Sequence, residues 1–488
     1  MAHLKSAKIP VVVAALVFSL LFVAAGLLFL PYPGIQNDEA IFASSLYPPH
    51  AATYSLGPVP LMFLDYEGCL KTWIYAPIFA VFPPSIWSLR MPVIMLGALS
   101  VFLFNLLLYQ AGGKTAAYIG GVLLVTDPVF ALVNNFDWGP VALQHFLLIT
   151  GLLAVTRFHR TAGVPWLALA GFSFGLALWD KAVFLWLLLP ICMAGFLIWP
   201  EVVRRHLTLR NALAVSASFL VGAAPLLLFN ATHEWVTFRS HLIFSTAEVP
   251  AKLHVLRATV NGSVLFGYLV RGQSKTDLLE YGVLLALAAL PFFWRSEIRK
   301  AAVFTLFVVI AAWAQMTFNR NSGSSPHHIT LLWPFPQFLI ALVFSRFRRL
   351  GPVACVILVA ANLSVFHRYW HNLVTEGSGL VWSDAINPLL QDSTFTSASP
   401  ICLPDWGLAD PLQVLFKGTL PLRNPDSSYL KIPEALWVSH VTGQESYPGL
   451  NNRLEAEATS QGLRKVPVKT YYDSHGNPIF ETFRFTSR

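Results

Sequence analysis

The chain has 488 residues, of which 55% are hydrophobic and only 12% charged. Soluble domains carry roughly 25% charged residues, so the composition excludes an ordinary soluble enzyme and reads as a polytopic membrane protein. The formal net charge of +8 does not mark a nucleic-acid binder, because the basic residues fall in short clusters between apolar runs, as membrane topology requires.

The first apolar run, Ile9 to Leu30, is about 22 residues long and follows Lys5 and Lys8. A secretory signal has a shorter core and a small-residue cleavage site. Pro31-Tyr32-Pro33 offers no such site, so the run reads as a retained helix. A span needs about 20 apolar residues. Further runs near 90–110, 115–133, 140–157, 164–179, 182–199, 212–230, 278–294, 301–318, 329–345 and 351–367 bring the expected count to about eleven. With a cytoplasmic N-terminus, the inner connections carry Lys114, then Arg157 and Arg160, then Arg204, Arg205 and Arg210. Arg295, Arg299 and Lys300 follow, then Arg346, Arg348 and Arg349. Every inner connection is basic, which sets the orientation and places the C-terminus outside.

The expected architecture is therefore a transmembrane α-helical domain over 1–370 with long outer loops at 31–89 and 231–277. From about 371 to 488 Pro, Ser, Asp and Asn become common and no further span is predicted, which reads as a small soluble α/β domain. Tyr471 to Phe480 carries hairpin turn chemistry at Asp473-Ser474-His475-Gly476-Asn477. Cys192 and Cys355 lie inside apolar runs, whereas Cys69 and Cys402 both face the oxidising side, where a disulfide between them is open.

In the first outer loop, Asp38 and Glu39 stand within about eight residues of a span end, among apolar and aromatic neighbours. The pair reads as a helix cap with a solvated neighbour, or as acids made more basic by desolvation beside a membrane-borne substrate. Glu67 and Lys71 follow in Glu67-Gly68-Cys69-Leu70-Lys71-Thr72-Trp73, and Arg90-Met91-Pro92 opens the next span. Lys71 and Arg90 suit either interfacial anchoring or a phosphate. Asp137, between the third and fourth spans, is an N-cap or a second acid on the same membrane face. Asp180-Lys181 reads as a tight turn or an ion pair. The other long outer loop supplies Arg271, and Arg320, His327 and His328 precede the tenth span, where they could stabilise a leaving phosphate. Gly112-Gly113-Lys114-Thr115 lacks the earlier glycine of a P-loop, Leu108 standing there. No motif indicates a metal or other cofactor, so these stay undetermined, with a divalent ion left open.

Taken in order, these residues resemble the integral-membrane glycosyltransferases of the GT-C fold, in particular the protein O-mannosyltransferase and aminoarabinose-transferase-like group. Asp38-Glu39 matches that group's acidic first-loop motif, and Lys71 and Arg90-Met91-Pro92 match its Lys-containing stretch and Arg-Leu-Pro-like span opening. Asp137 matches its third-to-fourth-span acid, and His327 or His328 with Pro334 its late His-Pro element. The likeness covers roughly residues 1–350; family members often have Lys-Pro-Pro where this chain has Lys71-Thr72-Trp73. The resemblance implies a GT-C-like fold and transfer of a sugar from a polyprenyl-phosphate donor to an acceptor hydroxyl on a lipid, glycan or protein. It also implies inversion, Asp38 as general base, Glu39 or Asp137 orienting the acceptor, and Lys71, Arg90, Arg320, His327 and His328 at the donor phosphate. Glu67 and Arg271 are further outer-loop candidates. The implied setting is a bacterial inner membrane, with membrane lipids around the spans and the C-terminal domain periplasmic. A transporter or flippase of a lipid-linked sugar is the alternative; it would favour midplane charges and a repeat between halves, neither of which is visible.

Overall fold

Pro31 and Pro33 follow directly on the first helix, α1 (Ala2–Phe29), where each lacks the N–H that a further turn would need. The computed structural model describes residues 2–47, 53–293 and 297–487, and Arg295, expected on an inner connection, lies outside them. After α1 come α2 (Asn37–Ser44), a hairpin of β1 (Tyr54–Leu56) and β2 (Val59–Met62), and α3 (Leu70–Val81). α4 (Ile86–Gly112) packs along α1, where the Ser19 hydroxyl donates to the Ala98 carbonyl at 2.8 Å.

α5 (Lys114–Thr126) and α6 (Pro128–Val133) are separated at Asp127. Pro128 disfavours helical backbone in the residue before it, and the freed Asp127 carboxylate caps α6 by accepting from Phe130 N at 2.7 Å. α7 (Val141–Thr161) and α8 (Val164–Asp180) follow, then α9 (Leu185–Ile198) and α10 (Pro200–His206), with a bend of 98° between the apolar stretch ending at Ile198 and α10. α11 (Leu209–Thr232) lies tightly on α8, because Gly175 and Gly222 meet there and a Cβ on either would strike the facing backbone. The second long loop holds α12 (Val236–His241) and α13 (Val249–Val260). The bundle closes with α14 (Leu279–Ala289), α15 (Glu297–Thr317), α16 (Pro326–Ile329), α17 (Phe335–Phe344) and α18 (Leu350–Thr375).

Every predicted span coincides with an apolar helix, but helix length alone does not confirm the count of eleven. Among the described residues seven helices are long and apolar enough to cross a membrane, eight if the bent pair is one span. Lys114–Thr126, Val164–Asp180 and Leu279–Phe293 are shorter. The first of these is short because the apolar run 115–133 is cut by the Asp127 cap.

Residues 386–487 add α19 (Ile386–Leu390), α20 (Ser393–Thr396), β3 (Ile401–Cys402), α21 (Ala409–Leu415), β4 (Leu422–Arg423), β5 (Leu436–His440), α22 (Leu450–Ser460), β6 (Leu463–Tyr472) and β7 (Pro478–Ser487). The strands form one mixed sheet in the order β4-β3-β5-β7-β6, with β3 parallel to both neighbours and the other pairs antiparallel. Alternation along β5 sends Leu436 and Val438 to one core and Trp437 to a second core with Phe483 and Phe485.

All four cysteines are free, so Cys69 and Cys402 are not joined; both are buried, Cys69 before α3 and Cys402 on β3. Denatured without reductant, the protein is expected to react with four maleimides per chain. A count of two would contradict the structure.

Candidate active site

Three buried ion pairs converge at one end of the bundle, and α2 starts among them. Gln36 caps α2 by accepting from Asp38 N at 2.6 Å, while Glu39 reaches back to Gln36 N at 2.9 Å, a reciprocal capping box. Glu39 is 1% exposed and grips Arg90 through two bonds, Nε to Oε2 at 2.9 Å and Nη2 to Oε1 at 2.6 Å. Arg90 Nη1 donates to the Leu30 and Pro33 carbonyls at 2.7 and 3.0 Å, and Nη2 to Gly34 O at 2.7 Å. A guanidinium has five N–H donors, and all five are engaged.

Lys71, on the first turn of α3, ion-pairs with Asp137 and lies 4.2 Å from the Phe42 ring centre. Its ammonium also reaches the Gly139 carbonyl at 3.3 Å. Asp137 holds φ 48°, the left-handed region that a non-glycine residue rarely occupies, and Gly139 follows at φ 72°. That backbone turns the Asp137 carboxylate inward toward Lys71. Burial pushes Asp137 up to about 6 while Lys71 beside it pulls the other way.

The third pair is Lys181 with Glu67, at 2.7 Å, both buried. Asp180 beside it accepts from Gln144 Nε2 at 3.0 Å.

Asp38 differs from Glu39, Asp137 and Glu67. It is only half buried and pairs with no cation among the described residues. Trp138 Nε1 donates to its Oδ2 at 3.1 Å. Burial pushes its carboxyl up to about 6, Glu67 adds to the rise, and Lys181 opposes it.

Trp138 is itself fixed by a stack with Tyr268 at 4.2 Å and by His327 at 5.5 Å. His328 Nδ1 accepts from Gly323 N at 3.2 Å, and its ring lies 4.4 Å from that of His327. Since a backbone N–H donates, Nδ1 of His328 is the acceptor and carries no proton there.

The structure thus gathers Asp38, Glu39, Glu67, Lys71, Arg90, Asp137 and His327 around one end of the bundle. Arg320 is exposed, with its backbone bonded to Ile243 O at 2.8 Å, and Arg271 forms an ion pair with Asp473 at 3.6 Å. Neither joins the cluster. Trp138 and Tyr268 were not among the predicted site residues, because a lone aromatic beside an acid gives no spacing signal. Lys181 carried one in its charge between two apolar runs, but its ion pair is with Glu67, while Asp180 accepts from Gln144. Among the described residues no group of three His, Cys, Asp or Glu side chains is placed to hold a metal ion.

The crystal structure of ArnT from Cupriavidus metallidurans bound to undecaprenyl phosphate superposes with a TM-score of 0.65, covering 96% of this chain and 97% of that one at 14% identity. The chain has the GT-C fold. The apo oligosaccharyltransferase of Archaeoglobus fulgidus aligns with a TM-score of 0.53, also at 14% identity, over 92% of this chain and 71% of that one. A family model described as dolichyl-phosphate-mannose-protein mannosyltransferase matches residues 67–229. A putative mannosyltransferase of Bacillus subtilis, YkcB, is 30% identical over 137 residues, which is 27% of this chain and 19% of that protein. The match therefore spans about a fifth of that relative's length. Family model, relative and GT-C fold agree on a glycosyltransferase scaffold, and the matched stretch carries Glu67, Lys71, Arg90, Asp137 and Lys181.

Proposed function

We propose that this protein is an integral-membrane glycosyltransferase that moves a sugar from a polyprenyl-phosphate donor to an acceptor hydroxyl, with inversion, on the extracytoplasmic side. The observation that carries the reading is Asp38: a half-buried carboxylate that pairs with no cation among the described residues, beside three acids that each pair with one. A hydroxyl is a weak nucleophile at neutral pH, and a carboxylate that takes its proton during attack removes the charge problem. Asp38 is that base, and Trp138 fixes which oxygen stays free. The bond to the leaving phosphate oxygen breaks as the acceptor oxygen attacks C1 from the opposite face, so one displacement inverts the anomer and no sugar–enzyme bond forms.

The leaving polyprenyl phosphate gathers negative charge and needs cations. Lys71 supplies one and Lys181 a second; at rest Asp137 and Glu67 hold them in place. Arg90 has no donor left for a phosphate, so its part is to hold Glu39 and the start of α2. ArnT is a neighbour bound to undecaprenyl phosphate, which supports a lipid-phosphate donor. One oligosaccharyltransferase structure carries a tethered acceptor peptide, and lipid, glycan and protein hydroxyls are the acceptor classes here. The basic connections support a bacterial inner membrane with the N-terminus cytoplasmic and the 371–488 region periplasmic.

The test offers radiolabelled polyprenyl-phosphate sugars to the purified protein in lipid vesicles. Release of label from the lipid is expected; label that crosses the bilayer with its lipid link intact would instead establish transport. Turnover should also rise with pH through about 6 and then level, since Asp38 must be deprotonated to act. The same raised value favours folding most below 3.8, and that contribution is lost as pH rises through 6. Activity and this part of the stability thus move oppositely across that window. A flat rate between pH 5 and 8 would contradict the base assignment.

A further inference from the structure

α2 is eight residues long, and a helix that short does not hold itself in water. Its position, and with it that of Asp38, is therefore set by what packs on it. The Arg90 fork on Glu39 fixes one end; the other is held by Thr72 of α3, which donates to Phe42 O at 2.7 Å, and by the C-terminal region. Ser44 on the last turn donates to Asp410 Oδ1 of α21 at 2.5 Å, both residues buried. Gln413 Nε2, one turn along α21, donates to the Tyr47 carbonyl at 2.8 Å. Val414 completes a buried cluster with Ile35, Ala40, Phe42 and Ala43. On the near side of α2, Gly34 N donates to Trp382 O at 2.6 Å, and a Cβ on Gly34 would collide with the Ser383 carbonyl.

We infer that the C-terminal region is part of the active-site frame, and that Asp410 is a positioning residue which sets Asp38 through Ser44 and α2. The Ser44–Asp410 bond holds the C-terminal end of a helix whose capping box lies at its other end, alongside the bond from Thr72 of α3 to Phe42 O. The far end of the same region is tied down independently. The β6–β7 turn sets His475 Nε2 on Val374 O at 2.9 Å and Asp473 beside Arg271 at 3.6 Å. The region is thereby anchored to α18 and the second long loop, while α21 within it holds α2 at Ser44 and Tyr47. The inference rests on the reading of Asp38 as the base, but its first test does not need activity.

In the full-length protein in detergent, Asp410→Ala is expected to raise amide exchange across residues 37–47 while leaving α17 unchanged. Unchanged exchange over 37–47 would overturn the inference. The second arm is a double-mutant cycle on sugar release. A displaced base costs turnover steeply, so Asp410→Ala should lower kcat by about 10- to 100-fold with donor KM nearly unchanged, because Lys71 and Lys181 stay in place. In an Asp38→Asn background the same substitution should cost little more, since the group it positions is already gone. Equal losses in both backgrounds would mean a general structural role and would also overturn it. Ser44→Ala repeats both arms if Asp410→Ala fails to fold. Full turnover in Asp38→Asn would sink the base assignment alone, and the exchange measurement would still decide the clamp.

Discussion

Asp38→Asn is expected to lower sugar release by about 10²- to 10⁴-fold, the usual contribution of a positioned general base, with no loss of thermal stability. Asn keeps the shape and can still accept from Trp138 Nε1, so the contact at 3.1 Å need not be lost. Only the ability to take a proton disappears. The half-buried site has no ion pair to break, which separates this substitution from one at Glu39, Glu67 or Asp137, where an opposite charge would be left buried. The pH profile supplies an independent check. The step near pH 6 should shrink in whatever residual turnover Asp38→Asn retains, leaving the part that belongs to Asp137, which burial also raises to about 6. Normal turnover in a folded sample would send the search to Asp180 or Glu67.

Much of this arrangement is legible before any coordinates. The apolar runs are long and their flanks basic, so helices and their order follow from the solvent alone. Asp38 and Glu39 stand out because two acids next to a span end demand an explanation. What the sequence hides is which of the two is free. The pair is adjacent in the chain, yet Glu39 turns inward to Arg90 while Asp38 faces the half-open side, a split fixed by a capping box whose glutamine, Gln36, is not a usual cap residue. Arg90 was equally ambiguous: one residue of the right type at a span opening serves a phosphate or a fold. Its five acceptor atoms, two on Glu39 and three backbone carbonyls of residues 30–34, lie 51 to 60 positions away. No local pattern encodes carbonyls that converge from such a distance. One of the shorter apolar helices, α5, arises for a related reason. Hydropathy reads 115–133 as one segment, but Asp127 and Pro128 divide it, and the lengths of the pieces depend on that local conflict.

Arg90→Ala is the substitution expected to cost most in stability. It leaves the Glu39 carboxylate 1% exposed with the Gln36 N–H at 2.9 Å as its remaining partner, and it orphans the carbonyls of Leu30, Pro33 and Gly34. Breaking one partner out of a buried pair costs about 3–5 kcal/mol, and unmade bonds to three buried carbonyls add to that. Arg90→Lys should recover only part of the loss, since an ammonium cannot reproduce a fork that meets a carboxylate on two oxygens and three carbonyls besides. Glu39→Gln should be milder than either, because Arg90 keeps its three carbonyls and the amide still accepts from it. Thermal unfolding of the three variants in one detergent would give that order. The competing assignment, Arg90 as a ligand of the donor phosphate, predicts the reverse emphasis: a normal melting temperature and a raised donor KM. A stable Arg90→Lys protein with weakened donor binding would return Arg90 to the phosphate. If instead the variants melt early and those that survive bind donor normally, the guanidinium acts only by holding Glu39, and through it the helix that presents Asp38.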